Sequence, residues 1–194
     1  MESAGDRTAT PPVLPRLAHL ARNLARQRYR GCDRHCRFFG AYVRLAGWQA
    51  RALKDHPADG TPKYFSASGM KKNDLLYGLT KAIKTKGPVV VVEGVTDVWR
   101  LHTNGVASFG KTISPTQTKL ILRHFHGRPV VILLDADAAD AAIKVYEKVA
   151  GARLAAGDDS PVIIAMLPGG RKDPGEYTRE EAWNVVTKVV KGAG

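Results

Sequence analysis

Five acidic residues carry the pattern in this chain that could do chemistry: Glu93, Asp97, Asp135, Asp137 and Asp173. Glu93 closes the run Pro88-Val-Val-Val-Val-Glu-Gly94, and Asp135 and Asp137 close Pro129-Val-Val-Ile-Leu-Leu-Asp-Ala-Asp137. Asp135 and Asp137 are two positions apart, so on extended backbone both can point to one side. Asp97 follows Glu93 by about one helical turn and can point back to the same place. Asp173 lies in Leu167-Pro-Gly-Gly-Arg-Lys-Asp-Pro174, just past a third apolar run. Carboxylates that converge without matched arginines repel one another, and a hard cation relieves the repulsion. Mg²⁺ fits, because it keeps several waters and uses one or two protein carboxylates together with substrate phosphates. The chemistry indicated is metal-assisted reaction at a nucleic-acid or nucleotide phosphate. The plainer alternative makes these acids independent helix caps and turn formers, and Asp173 before Pro174 is a routine turn signal. Acids at successive strand ends outweigh it.

Buried strands must position such a set. Four consecutive valines before Glu93, with no polar alternation, predict a strand covered on both faces, as in a parallel sheet. Gly94 lets the chain turn sharply after the acid. Open α/β sheets bind ligands outside the carboxyl ends of their strands, where these acids fall. Strand-like runs at Pro88–Glu93, Val106–Ser108, Pro129–Leu134 and Pro161–Leu167 alternate with helical patterns. Helices are expected from Asp97 to Thr103, from Ser114-Pro115 to about His124, from Ala138 to Ala156 and from Thr178 to Lys191. Ser114 is a good N-cap before Pro115, and Thr178 with Glu181 can form a capping box. The order predicts an α/β domain over 87–194, a four-stranded parallel sheet with helices on both faces. Residues 17–86 read as a small basic α+β subdomain after a disordered lead-in at 1–16. Within it, Tyr42–Leu53 gives one or two strands, Pro62–Ser66 an extended piece and Asn73–Lys84 a helix.

The charge supports a polyanionic partner. The 194 residues hold 30 Lys and Arg against 18 Asp and Glu, a formal net charge of +12. Residues 1–55 contain eleven of the bases and four of the acids, so +7 of this sits in the first quarter of the chain. A segmental excess of this kind points to nucleic acid more than to a generally solubilising surface. Leucines 17, 20 and 24 with arginines 22, 26, 28 and 30 form an amphipathic basic helix pattern. No run is long and apolar enough to span a membrane, and Met1–Arg16 lacks an apolar signal core. A cytoplasmic protein without a membrane partner is expected. There are only two cysteines, Cys32 and Cys36. With His35 they suggest a zinc site, but a closed site needs four ligands and only His56 lies near. Zinc is not expected; two ordinary thiols are.

Glu93-Gly followed by Asp135-Ala-Asp137 resembles the TOPRIM domain, a Rossmann-like fold shared by bacterial primases, topoisomerases and some nucleases. Glu93-Gly-Val-Thr-Asp97, Ala107-Ser-Phe-Gly110 and Leu167-Pro-Gly-Gly-Arg-Lys-Asp-Pro174 are similar to the DnaG-type replicative primase version. So are the upstream pieces Gly47-Trp-Gln-Ala-Arg-Ala-Leu53, Pro62-Lys-Tyr64 and Lys72 with Leu76-Tyr-Gly78. The resemblance covers about residues 47–185. It implies that Glu93, Asp97, Asp135, Asp137 and Asp173 bind divalent metal, Mg²⁺ or Mn²⁺, with Glu93, Asp135 and Asp137 catalytic. It also implies that Arg51, Lys63, Tyr64 and Lys72 line a ridge for single-stranded DNA and ribonucleoside triphosphates. Cations hold phosphate, and a tyrosine ring offers a stacking face.

The chain departs from that pattern in places. Gly175 stands where a second acid usually follows Asp-Pro, with Glu176 beside it; Asp140 stands where glycine is usual, and Lys111 where threonine is usual. The family's zinc ribbon, most of its first polymerase subdomain and its helicase-binding domain have no counterpart here. The expectation is a reduced primase core of the phage or mobile-element type, or one piece of a split primase, in the bacterial host cytoplasm if phage-encoded. It would make short RNA primers on single-stranded DNA, working with a replicative helicase or a second primase subunit. A metal-dependent TOPRIM nuclease and a non-catalytic DNA-binding accessory subunit are the alternatives.

Overall fold

Alternate residues of the Val89–Val92 run turn to opposite sides, and the larger part of the fold is built on that alternation. The computed structural model describes residues 46–51, 64–168, 171 and 173–193. The lead-in, the basic helix pattern, Cys32, His35, Cys36 and Lys63 lie outside the described residues. The chain divides into two units, Met1–Met70 and Lys71–Gly194.

In the first unit, strand β1 (Gln49–Arg51) pairs antiparallel with β2 (Tyr64–Ser66). The register sets Arg51 opposite Tyr64 and Gln49 opposite Ser66. The Gln49 Nε2 amide donates to Ser66 Oγ at 3.2 Å, and the Ala67 N–H donates to the Trp48 carbonyl at 2.9 Å. These bonds define the ribbon on which two of the sequence-predicted nucleic-acid residues are cross-strand partners.

In the second unit, β3 (Val89–Val92), β4 (Gly105–Ala107), β5 (Val130–Ile132) and β6 (Val162–Ile164) form one parallel sheet in the order β4-β3-β5-β6. Val89 and Val91 pack on one face with Ile121 and Phe125 of the α3 region and Ala142, Val145 and Val149 of α4. Here α3 spans Pro115–His124 and α4 Ala139–Ala155, and α1 (Leu79–Ala82) supplies Ala82 to the same cluster. Val90 and Val92 face the other way, against Val98 of α2 (Val95–Val98) and Ala182 and Val186 of α5 (Arg179–Gly192). All four valines are at most 1% exposed, and burying each contributes about 1.5–3 kcal/mol. This is the expected α/β architecture with helices on both faces. Among the described residues no helix is long and apolar enough to cross a membrane.

Three local expectations change. The helix expected from Asp97 to Thr103 is the single turn α2, starting two residues earlier and giving way to turns after Val98. The Pro161–Leu167 run, expected as a fully buried strand, becomes the short edge strand β6, and its three residues are half-buried. An edge has a neighbour on one side only, which apolar content cannot reveal. The helix expected over Asn73–Lys84 is broken into a tight turn at Lys72–Asp74 and the short α1. Between them Tyr77 exchanges backbone hydrogen bonds with Ala107, 3.0 and 3.1 Å, extending the sheet beyond β4. Gly78 makes this possible. Its φ is +82°, and a Cβ there would stand 2.5 Å from the Gly105 carbonyl oxygen. The edge of β4 needs hydrogen-bond partners more than this segment needs a helix. The same residues pack into the second unit, through Leu76 and Ala82.

Gln117 ties that segment down. Its N–H donates to Ser114 Oγ at 3.0 Å, its Oε1 accepts the Ser114 N–H at 2.9 Å, and the pair forms a capping box at the start of α3. Its Nε2 donates to the carbonyls of Lys72 (3.1 Å), Leu75 (2.8 Å) and Ser108 (2.9 Å). The side chain is 1% exposed. Gln117→Leu keeps the bulk but removes a donor from these carbonyls, of which that of Lys72 keeps the Leu75 N–H. It should cost about 1–3 kcal/mol in urea unfolding, and an unchanged midpoint would show that the amide holds nothing.

Candidate metal centre

The carboxyl edge of the sheet collects the five acids. Glu93 leaves β3, Asp135 and Asp137 leave β5 after Leu133 and Leu134, Asp97 lies in α2, and Asp173 precedes the tight turn Pro174–Glu176. β3 and β5 are neighbours with Val91 registered on Ile132, so their acidic ends emerge side by side. Asp97 is 5% exposed, and its Oδ2 accepts the Gly94 N–H at 2.9 Å. That bond closes the turn after Glu93 and puts an acid at the N-terminus of α2, where the helix dipole favours it.

The loop bearing Asp173 is pinned from several sides. Arg171 pairs with Glu181 at 3.0 Å and lies 4.6 Å over the Tyr177 ring. The Tyr177 hydroxyl donates to the Pro168 carbonyl, and Arg100 Nε donates to the Gly175 carbonyl at 3.2 Å. A Cβ on Gly175 would meet Asp173 Oδ1 at 2.8 Å and Asp97 Oδ1 at 3.4 Å. The absence of a side chain there lets both carboxylates approach. Glu176, next along, is exposed.

The acids feel one another. Burial first, then Glu93, Asp97, Asp173 and Asp137, push the Asp135 pKa from 3.8 up to about 7. Glu93 is also raised, by burial and by Asp137 and Asp173, while the Lys111 ammonium pulls it down. Glu93 Oε2 and Asp135 Oδ1 are buried and have no hydrogen-bond partner. Buried unpartnered carboxylate oxygens are costly unless something positive meets them. An all-oxygen donor set suits a hard divalent cation such as Mg²⁺. Asp97, Asp137 and Asp173 complete the surrounding charge. Among the described residues no three or more His, Cys, Asp or Glu side chains stand close enough together to hold a metal ion. Asp137 pairs instead with Lys111, whose Nζ lies 3.0 Å from its Oδ1.

Of the residues expected to bind nucleic acid, Lys72 sits in the Lys72–Asp74 turn with its carbonyl held by Gln117. Arg51 and Tyr64 lie in the ribbon of the other unit. The sequence reading missed a role for Lys111 and noted only its unusual identity. Its signal was a lone lysine immediately after the Ser108–Gly110 turn.

No family model matches the chain. It is 35% identical over 151 residues, 72% of its length, to the DNA primase of Synechococcus elongatus, of which it spans 21%. The crystal structure of the zinc-binding and RNA polymerase domains of the Aquifex aeolicus primase superposes with a TM-score of 0.59 at 27% identity. That match covers 75% of this chain and 37% of the other. The chain is similar to DNA primases, and its fold matches DnaG-type primase catalytic cores. A DnaG catalytic domain bound to single-stranded DNA matches the same share, 75%, at 25% identity and a TM-score of 0.56, and 47% of that chain is covered. The chain spans between about a fifth and a third of the length of the curated primases it matches, 21% and 30% of them.

Proposed function

We propose that this protein is a primase-type nucleotidyltransferase that joins ribonucleotides on a single-stranded DNA template, with Mg²⁺ or Mn²⁺ held by Glu93, Asp135 and Asp137. The observation that carries this reading is the pair of buried, unpartnered oxygens on Glu93 and Asp135 at adjacent strand ends. Asp97 and Asp173 add negative charge behind them. Bound there, the metal would activate the attacking 3′-hydroxyl and stabilise the departing pyrophosphate. The protein's own part is to hold the carboxylates fixed. Val91 and Ile132 hold the two strands in register, and the Asp97 bond to Gly94 closes the turn beside Glu93. Arg51, Lys63, Tyr64 and Lys72 would guide template and nucleotides through phosphate contacts and base stacking. The likeness to primases, one of them bound to single-stranded DNA, supports the substrate class. The net charge of +12 supports a polyanionic template. The phage or mobile-element type, cytoplasmic action in the host, and a helicase or second-subunit partner belong to the same proposal.

Purified protein with labelled ribonucleotides, Mg²⁺ or Mn²⁺ and single-stranded DNA should yield short RNA. Cleaved DNA instead would assign a TOPRIM nuclease. DNA binding with no product would assign an accessory subunit. Lys63→Ala should weaken binding to single-stranded DNA and lower the slope of log affinity against log salt by about 0.7. Titrations at several salt concentrations measure this, and an unchanged slope would remove Lys63 from the template path.

A further inference from the structure

One cation already sits at the acidic edge, and it belongs to the protein. The Lys111 ammonium hydrogen-bonds Asp137 Oδ1 at 3.0 Å. It also lies in electrostatic reach of Glu93 and Asp135. The backbone turn that carries it is anchored to the sheet. Ser108 N–H and Oγ both donate to the Val92 carbonyl, at 3.1 and 3.2 Å, which anchors the turn to the last residue of β3 before Glu93. Ser108 Oγ also reaches the Gly110 carbonyl at 2.6 Å. Phe109 between them has φ of +65°, a left-handed conformation that a phenylalanine adopts only when its surroundings impose it. The turn therefore delivers residue 111 to the acids.

We infer that Lys111 is a tethered counter-cation of the acidic edge, which a divalent ion must displace from Asp137 in order to bind. This rests on the metal-site reading above and adds to it a residue that sets the metal's affinity. An ammonium paired with Asp137 removes one negative charge from the set and occupies one of its oxygens. When the divalent ion enters, the two cations repel, and Lys111 has to swing outward. With Lys111 45% and Asp137 78% exposed, that movement needs no rearrangement of the core. The lysine thus lowers the resting repulsion among the acids while weakening metal binding. A swung-out ammonium stays beside the site, within reach of a phosphate carried by the substrate.

Mn²⁺ binding to the full chain, followed by loss of the free-ion electron paramagnetic resonance signal, separates the possibilities. Lys111→Met removes the charge and keeps the length. It should bind Mn²⁺ on the order of tenfold more tightly than the parent protein. Lys111→Arg keeps the charge and should restore the parent affinity to within about twofold. In the metal-free state Lys111→Met should melt at a lower temperature than the parent, and saturating Mn²⁺ should close that gap. Equal Mn²⁺ affinity in parent and Lys111→Met would overturn this inference and leave the metal site standing. Failure of all three proteins to bind Mn²⁺ would overturn the metal site and the inference together. Tight binding by both Lys111→Met and Lys111→Arg would also overturn it, because charge would then not be the cause.

Discussion

Asp135→Asn should make the metal-free protein more heat-stable at pH 8 while abolishing the proposed primer synthesis. The two effects have one cause. Burial and four neighbouring carboxylates push the Asp135 pKa from 3.8 up to about 7. The unfolded chain gives up this proton near 3.8, whereas the folded protein holds it to about 7. Between those values the folded state binds more protons, so stability falls as pH rises through the window. Discounted for partial solvent exposure, the penalty above pH 7 is of order 1–3 kcal/mol. Asparagine copies the neutral acid and escapes it. The variant and parent should melt together at about pH 4, and the variant several degrees higher at pH 8, given roughly 2–8 °C per kcal/mol. Mg²⁺ should raise the melting temperature of the parent at pH 8 but not of the variant. Activity should drop about 10³-fold, since loss of a metal-holding charge removes several kcal/mol of transition-state stabilisation. Coincident melting curves at pH 8 would mean that the carboxylate is neither crowded nor desolvated.

Arg153→Ala should be the most destabilising single change in the larger unit, by about 3–5 kcal/mol in urea unfolding. Arg153 and Asp158 side chains are 1% and 2% exposed and lie 3.4 Å apart. Arg153 Nη1 donates to the Ser160 carbonyl at 3.0 Å and Nη2 to the Phe125 carbonyl at 2.9 Å. Asp158 Oδ1 accepts the Ser160 N–H at 3.1 Å and the Ser160 hydroxyl. The arginine therefore joins the end of α4, the end of α3 and the entry to β6. Removing it leaves the Asp158 charge buried without its counter-ion and takes a donor from the Ser160 and Phe125 carbonyls. Arg153→Met with Asp158→Ala should recover part of the loss, because the costly product of the single change is the unpaired charge. Full additivity of the two single changes would show that the pair does not act as a unit.

These two sites differ in how far the sequence revealed them. Asp135 stands out because it ends an apolar run with a second acid two positions on. Arg153 gives no such sign. It lies on the alanine-rich helix pattern as one base among several, and only the packing of α3, α4 and β6 makes it the anchor. Lys111 falls between: an unusual residue in the sequence, but one whose partner lies 26 positions away.

The sequence by itself determined the β-strand runs, the acids at their carboxyl ends, the alternation of strands with helices, and the capping boxes at Ser114 and Thr178. Each is written in residues within a few positions of one another, where side-chain pattern and backbone preference act directly. The tertiary structure decided the rest. It set the strand order β4-β3-β5-β6, which leaves β6 half-buried at an edge. It pulled Tyr77 out of a helix to pair with Ala107. It turned separate carboxylates into one coupled set with a lysine at its rim. Those outcomes depend on which distant backbone donor, acceptor or charge arrives alongside, and local pattern does not encode that. Glu93 is an acid at a strand end in the sequence; in the fold it is a half-buried carboxylate with one oxygen buried and unpartnered.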